Sequence, residues 1–250
     1  MKKIIHYIYL FWAVLTFLLT LLLGFLLLVI LGKLVPRKRR HGYSNYILRH
    51  WSWFWAILIG VRIGSVGWKK EYDDLVSVHV VNHNSFLDTL SAYVTIRSRF
   101  KTLAKKELQK VPLMGSVFLT SGIMVDRSSK ESRRASFDRM VEEIKGGTSV
   151  MIFPEGTQNR TENPLADFYD GAFRLAIETQ APILPSVIIN SRRLMPQAKF
   201  NKLIPGRIRQ FFLEPIPTVG LRMDDLPELK ARVIDLMGKK VLAEDPDYPN

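Results

Sequence analysis

The 250-residue sequence contains no cysteine. This absence excludes disulfide scaffolds, thiolate metal sites and cysteine nucleophiles. Acidic residues are also few, because 23 Asp and Glu stand against 36 Lys and Arg and the net charge is +13. A charge of that size requires a partner of opposite sign, usually nucleic acid or an anionic membrane. With 47% apolar and 24% charged residues, the composition indicates neither a disordered chain nor a polytopic membrane protein.

Charged residues are missing from the stretch 4–31, where Leu, Ile, Val and Phe dominate. As a helix it would be about 42 Å long at ~1.5 Å per residue, more than a ~30 Å hydrocarbon core requires. A cleavable signal peptide would have a shorter apolar stretch and a small-residue cleavage site, and neither is present. Because the stretch offers water no polar face, we predict that it lies in the bilayer rather than in a protein core.

A second segment, 43–61, is rich in Trp and Tyr, and its uncharged part is too short to span a bilayer. Such rings settle at headgroup depth, so we predict a helix lying in the interface or dipping partway in. Hydropathy leaves open whether the first helix crosses the bilayer or turns back within one leaflet. A group of cations directly follows the first apolar run and outweighs the two lysines before it: Lys33, Arg37, Lys38, Arg39 and Arg40.

This basic flank predicts that the chain after it is held at the cytoplasmic face of the membrane. Elsewhere Lys and Arg are scattered, without the compact basic stripe and interleaved aromatics that bind single-stranded nucleic acid. The expected partner is therefore membrane lipid with anionic headgroups, and not nucleic acid.

From about residue 65, short β-branched runs alternate with helical stretches. Strands are predicted at 75–82, 101–104, 122–125, 148–153, 183–190 and 207–213, and helices at 86–97, 106–119, 130–145, 171–179 and 225–241. The alternation predicts an α/β domain over 65–250, with a mixed, largely parallel sheet flanked by helices. A membrane-embedded two-helix segment over 1–64 precedes it.

The first predicted strand runs directly into Asn-His-Asn-Ser-Phe-Leu-Asp, residues 82–88. Ser85 is a candidate N-cap of the next helix, with Asp88 three residues on and able to reach back toward it. This arrangement leaves His83 on the loop and Asp88 in the first turn, where the two side chains can meet. A carboxylate on one ring nitrogen fixes the tautomer and leaves the other nitrogen as a general base. A His held in a capping network is the alternative interpretation at this point.

Metal binding is a further alternative, because His79 and His83 are four residues apart. They lie in or beside a β-branched run, however, and neither a third ligand cluster nor a His-Glu-x-x-His pattern accompanies them. We therefore predict no metal site.

Two other predicted strands end in polar blocks. One ends in Asp126-Arg127, where Arg is suited to a bidentate contact with phosphate, and the other ends in Phe-Pro-Glu-Gly-Thr, residues 153–157. Taken singly, each block is explained by an ion pair or an ordinary turn. Ligands of open α/β sheets bind beyond the carboxyl ends of strands, and all three blocks fall there. Together they indicate one site.

Four ordered segments, 82–88, 122–127, 153–157 and 181–188, resemble the motifs of the glycerophospholipid acyltransferase family. The resemblance spans about residues 65–220 and is best with the bacterial branch that acylates 1-acyl-sn-glycerol 3-phosphate. The segments Leu103–Leu108 and Gly171–Ala176 are also similar. Two positions differ from the usual pattern: Gln158 stands where the family often has Arg, and Asp170 where it often has Lys.

The resemblance implies transfer of a fatty acyl group from an acyl thioester to the 2-hydroxyl of lysophosphatidic acid, giving phosphatidic acid. The acyl donor would be acyl-CoA or acyl carrier protein, with no further cofactor. His83 would be the general base and Asp88 would orient it, and no nucleophile-elbow serine is present for an acyl-enzyme. The residues expected to bind substrate or stabilise the oxyanion are Lys105, Arg127, Glu155, Gly156, Thr157 and Arg160.

Two rival functions are distinguishable by experiment. A membrane-tethered hydrolase would use His83 to activate water and would cleave acyl thioesters without lysophosphatidate. A non-catalytic basic module would keep its binding after His83→Ala and lose it with salt.

Overall fold

The computed structural model describes residues 2–34, 40–110, 122–126, 129–197 and 199–245. Its helices are α1 (Lys2–Leu34), α2 (Arg40–Leu58), α3 (Leu87–Thr95), α4 (Lys130–Lys145), α5 (Gly171–Thr179), α6 (Ser191–Leu194) and α7 (Leu226–Glu244). Its strands are β1 (Val61–Val66), β2 (Val78–Val81), β3 (Phe100–Lys105), β4 (Gly122–Val125), β5 (Ser149–Ile152), β6 (Ile183–Ile189) and β7 (Gly206–Phe212). Short 3₁₀ helices occupy Lys70–Tyr72, Lys106–Lys110, Phe200–Lys202 and Met223–Asp225.

The seven strands form one sheet in the order β1-β7-β6-β2-β5-β3-β4. Neighbouring strands are parallel except β6 and β7, which are antiparallel. Strands β4, β3, β5, β2 and β6 therefore run in one direction, and β7 and β1 run in the other. The predicted mixed, largely parallel sheet is confirmed.

Helices cover both faces of the sheet, and side chains alternate between them along β2. Val78 and Val80 pack into the core that contains residues of α4, α5 and α7. Val81 packs into the opposite core, which contains residues of α2 and α3. His79 is fully buried beside Trp68 and Phe100, and its Nε2 lies 3.1 Å from Ser98 Oγ.

Helices α1 and α2 form an antiparallel hairpin joined by hydrogen bonds of aromatic side chains. Tyr9 Oη donates to the Ile59 carbonyl at 2.9 Å, and Trp55 Nε1 donates to the Ala13 carbonyl at 3.2 Å. Further along, Trp51 Nε1 donates to the Thr20 hydroxyl at 3.1 Å. The polar atoms of these rings are thus satisfied inside an apolar seam, as burial requires.

The inner face of α2 belongs to the domain core. Asn45 donates to the Phe100 carbonyl at 3.0 Å, and Trp55 and Ile59 are 1% exposed. Over 2–27, α1 is long and apolar enough to cross a membrane by length and composition. Its outward face is a continuous apolar surface from Ile4 to Ile30.

The structure differs from the sequence-based expectation at β1 and after β3. Strand β1 is not among the predicted strands, and Val61–Val66 pairs with β7. The helix expected over 106–119 is a 3₁₀ helix at Lys106–Lys110, and its remainder, 111–119, lies outside the described residues.

Burial lowers the pKa of His79 to about 3. Below pH 6.5, His79 is therefore protonated in the unfolded chain but stays neutral in the folded chain. The free energy of unfolding falls as the pH drops from 6.5 toward 3. The slope from this group reaches about 1.4 kcal/mol per pH unit. In detergent, the unfolding temperature of the non-titrating variant His79→Gln should fall less between pH 7 and pH 4.5 than that of the wild type. His50→Gln, at an exposed histidine, is the control, and equal acid sensitivity of all three proteins would contradict the assignment.

Candidate active site

The predicted site residues follow the carboxyl ends of neighbouring strands. His83 follows β2 and Phe153 follows β5, and these strands are paired and parallel. Lys105 ends β3, where its backbone is in register with Val125 of β4. The structure therefore brings the strand ends together at one edge of the sheet. Arg127 and the side chain of Lys105 lie outside the described part of the chain.

His83 and Asp88 are in direct contact. His83 Nδ1 lies 3.0 Å from Asp88 Oδ2, and the side-chain exposure is 17% for His83 and zero for Asp88. The same oxygen accepts the backbone N–H groups of Asn84 at 2.5 Å and Ser85 at 2.7 Å. Because Oδ2 is an acceptor, Nδ1 donates to it, and Nε2 is left as the basic nitrogen of a partly exposed ring.

The turn before α3 explains how residues five apart can meet. Asp88 reaches back to the Ser85 N–H, as predicted, but the residue immediately before the helix is Phe86 and not Ser85. The Ser85 hydroxyl accepts from Leu87 N at 3.2 Å and donates to the Met195 carbonyl at 2.8 Å. Ser85 therefore fixes the turn to the segment after α6.

The loop after β5 carries the other predicted residues. Glu155 is 4% exposed, and its two oxygens accept the backbone N–H groups of His83 at 2.7 Å and Ala166 at 3.0 Å. Burial raises the pKa of Glu155 to about 7, although the two N–H groups act against that rise. Thr157 and Arg160 are exposed at this edge.

Gly156 adopts a positive φ of 70°, and its N–H donates to the Phe153 carbonyl at 3.0 Å. A residue with a Cβ rarely adopts this conformation. Gly156 therefore turns the chain directly after the buried carboxylate of Glu155.

Three further residues that contact or flank His83 were not singled out from the sequence. The Phe153 ring stacks on the imidazole of His83, with ring centroids 4.1 Å apart and planes 14° apart. Asn159 N–H donates to the His83 carbonyl at 2.6 Å. The Asn82 side chain donates to the carbonyl of Ile188 and accepts from its N–H, at 3.1 and 2.6 Å. Phe153 and Asn82 lie within the motifs named above, but the sequence gives only their residue types and not the groups that they contact.

Asp170, at the position where the family often has Lys, forms an ion pair. Asp170 lies 2.8 Å from Lys230 of α7, which ties the start of α5 to the last helix. Within the described ranges, no three His, Asp or Glu side chains are grouped as metal ligands would be.

Comparison with known proteins identifies the family. The family model described as Acyltransferase matches residues 72–189. A Caenorhabditis elegans protein provisionally named a 1-acyl-sn-glycerol-3-phosphate acyltransferase is 31% identical over 196 residues, which are 78% of this chain and 69% of that protein. The 1-acyl-sn-glycerol-3-phosphate acyltransferase of Haemophilus influenzae is 25% identical over 223 residues, 88% and 91% of the two chains.

The fold also matches a solved structure. The crystal structure of a 1-acyl-sn-glycerophosphate (LPA) acyltransferase from Thermotoga maritima superposes with a TM-score of 0.82 at 19% identity and covers 97% of each chain. The chain belongs to the glycerophospholipid acyltransferase family, which confirms the resemblance of the four motifs. Within that family it is similar to the enzymes named for 1-acyl-sn-glycerol 3-phosphate.

The contact between His83 and Asp88 predicts the effect of Asp88→Asn. An amide at this position can present its NH₂ group to Nδ1 and select the wrong tautomer, so kcat for acyl transfer should fall about 10²–10⁴-fold. Asp138→Asn, at an exposed position of α4, is the matched control and should keep wild-type kcat. Steady-state kinetics of the two variants check the prediction, and an unchanged kcat in Asp88→Asn would refute it.

Proposed function

We propose that the protein transfers a fatty acyl group from an acyl thioester, acyl-CoA or acyl carrier protein, to the 2-hydroxyl of lysophosphatidic acid, giving phosphatidic acid. The observation that carries the proposal is the His83 Nδ1–Asp88 Oδ2 contact of 3.0 Å at the carboxyl edge of the sheet. The names of the similar proteins support the acceptor.

In the proposed reaction, His83 Nε2 takes the proton of the acceptor hydroxyl. The oxygen attacks the thioester carbonyl, a carbon–oxygen bond forms, and the electron pair of the carbonyl moves onto its oxygen. When the tetrahedral intermediate collapses, the carbon–sulfur bond breaks and the thiolate leaves, taking the proton from the imidazolium. Asp88 holds the ring and stabilises its charged form during this cycle.

General-base help is worth about 10²–10⁴-fold, so positioning and charge stabilisation must supply the rest of the rate. For the intermediate's negative charge we propose backbone N–H groups or Lys105 as donors. For the acceptor phosphate we propose Arg127 and Arg160, with Gly156 and Thr157 shaping the same loop. The exposure of Arg160 beside the strand ends supports its part in this proposal.

A lipid acceptor requires that the site be close to the membrane surface. Strand β1 runs opposite to β2, so β1 begins on the side of the sheet toward which β2 runs. Trp12 Nε1 of α1 donates to the Leu58 carbonyl there at 2.8 Å, and His6 Nε2 lies 2.9 Å from the Asn201 carbonyl. The N-terminal part of the apolar helix therefore packs on the same side of the sheet as His83. This supports a site close to the membrane surface. The location we propose is the inner membrane with the site on its cytoplasmic side, as the basic flank after the first apolar run predicts.

His83→Ala tests the chemistry. It should lower kcat for transfer to lysophosphatidate by about 10²–10⁴-fold with either donor, because the general base is removed. Arg127→Ala should instead raise the KM for lysophosphatidate about ten- to a hundredfold, since a charged hydrogen bond contributes ~1.5–3 kcal/mol. Transfer is measured with acyl-CoA and acyl carrier protein in separate arms. Full activity of His83→Ala would refute the mechanism, and thioester cleavage independent of lysophosphatidate would favour a hydrolase.

The membrane location is tested on the outer face of α1. Leu19 and Leu23 are 58% and 56% exposed, so the double variant Leu19→Glu/Leu23→Glu places two charges on the apolar surface. Each charge costs about 2.5–3.5 kcal/mol at the centre of a bilayer helix, and flotation with anionic vesicles should fall more than tenfold. Val219→Glu, at an 80% exposed position of the domain, should float like the wild type. Equal flotation of all three proteins would contradict the location.

A further inference from the structure

One short segment after β5 contacts three groups of His83: its imidazole ring, its backbone N–H and its backbone carbonyl. The Phe153 ring stacks on the imidazole at a centroid distance of 4.1 Å. The Glu155 carboxylate accepts the backbone N–H at 2.7 Å, and the Asn159 N–H donates to the backbone carbonyl at 2.6 Å. Both backbone groups and one ring face of His83 are thus satisfied by a single stretch of seven residues.

The Glu155 carboxylate is turned inward. It is 4% exposed, and its second oxygen accepts the Ala166 N–H at 3.0 Å. Each oxygen already accepts a backbone N–H from a different part of the chain. Its contacts are those of a group that joins two loops and not of one that receives substrate.

Asn159 closes the same loop on itself. It is 2% exposed, and its Oδ1 accepts the N–H and hydroxyl of Thr161 while its Nδ2 donates to the Asn163 carbonyl at 2.9 Å. The next residue, Arg160, is exposed. The loop that fixes the His83 backbone therefore also fixes the backbone position from which the Arg160 side chain extends.

We propose that Phe153, Glu155 and Asn159 form a clamp that positions His83, and that Glu155 acts through His83 rather than by contacting substrate. The clamp rests on the proposed function of His83 as the general base. Asp88 fixes one ring nitrogen, and the stacked Phe153 fixes the plane of the ring about that contact. The face of an aromatic ring also attracts a cation, so Phe153 stabilises the imidazolium that forms when His83 takes the proton.

The first test separates positioning from substrate binding. Glu155→Gln keeps the side-chain length but sets an NH₂ group against one of the two N–H donors, so the clamp is disturbed. We expect kcat to fall about ten- to a hundredfold, with the KM for lysophosphatidate within about twofold of wild type. Glu162→Gln, an exposed Glu in the same loop, should leave both constants unchanged.

The second test addresses the ring. Phe153→Leu should lower kcat and leave the KM for lysophosphatidate unchanged, and Phe153→Tyr, which keeps the ring, should restore kcat. A KM that rises more than tenfold in Glu155→Gln at constant kcat would show a substrate contact and overturn the clamp. A lowered unfolding temperature with wild-type kcat per folded molecule would also overturn it, because the residue would then be merely structural.

A spectroscopic measurement tests the clamp without the acceptor substrate. In ¹⁵N-histidine-labelled protein, the Nδ1–H signal of His83 is identified by its loss in His83→Ala. It should be sharp in the wild type and in Glu162→Gln, and broadened or shifted in Glu155→Gln and Phe153→Leu. If the wild type fails to acylate lysophosphatidate while the signal behaves in this way, the proposed function fails and the clamp stands. An unchanged signal in both clamp variants would refute the clamp.

Discussion

A single carboxylate oxygen organises the candidate site. Asp88 Oδ2 accepts hydrogen bonds from His83 Nδ1 and from the backbone N–H groups of Asn84 and Ser85. The same oxygen thus fixes both the orientation of the imidazole and the backbone turn that carries it. Because Asp88 is fully buried at the start of α3, its position depends on the packing of that helix between the sheet and α2. The geometry of the site therefore depends on the domain core.

The elements of the α/β domain could be predicted because their residues show the expected periods. Buried β-branched runs such as 183–189 and capped helices such as 130–145 were located within a residue or two. Strand β1 was missed because Arg62 and Gly64 interrupt its short apolar pattern, and it directly follows an aromatic helix. Its pairing with β7 is a contact between residues about 145 positions apart, which no local pattern reveals.

The sequence shows which residues of the candidate site follow the ends of the strands, but not all of the contacts that their side chains make. The His83–Asp88 contact follows from a strand that turns into a helix, so its spacing was informative. The sequence could not tell which way the side chains after β5 point. Glu155 accepts two backbone N–H groups from different parts of the chain, and the stacking of Phe153 on His83 depends on the register between β5 and β2. Such contacts arise from tertiary packing and not from local sequence.

The proposed mechanism depends on His83 Nε2 removing the proton of the acceptor hydroxyl. The most direct measurement is a crystal structure of the protein with lysophosphatidate and a non-reactive thioether analogue of the acyl donor. The proposed mechanism predicts the 2-hydroxyl about 2.6–3.2 Å from His83 Nε2, with the thioether sulfur beyond it and the Asp88 contact intact. A hydroxyl bound out of hydrogen-bond reach of that nitrogen, with the acyl chain ordered in the site, would contradict it.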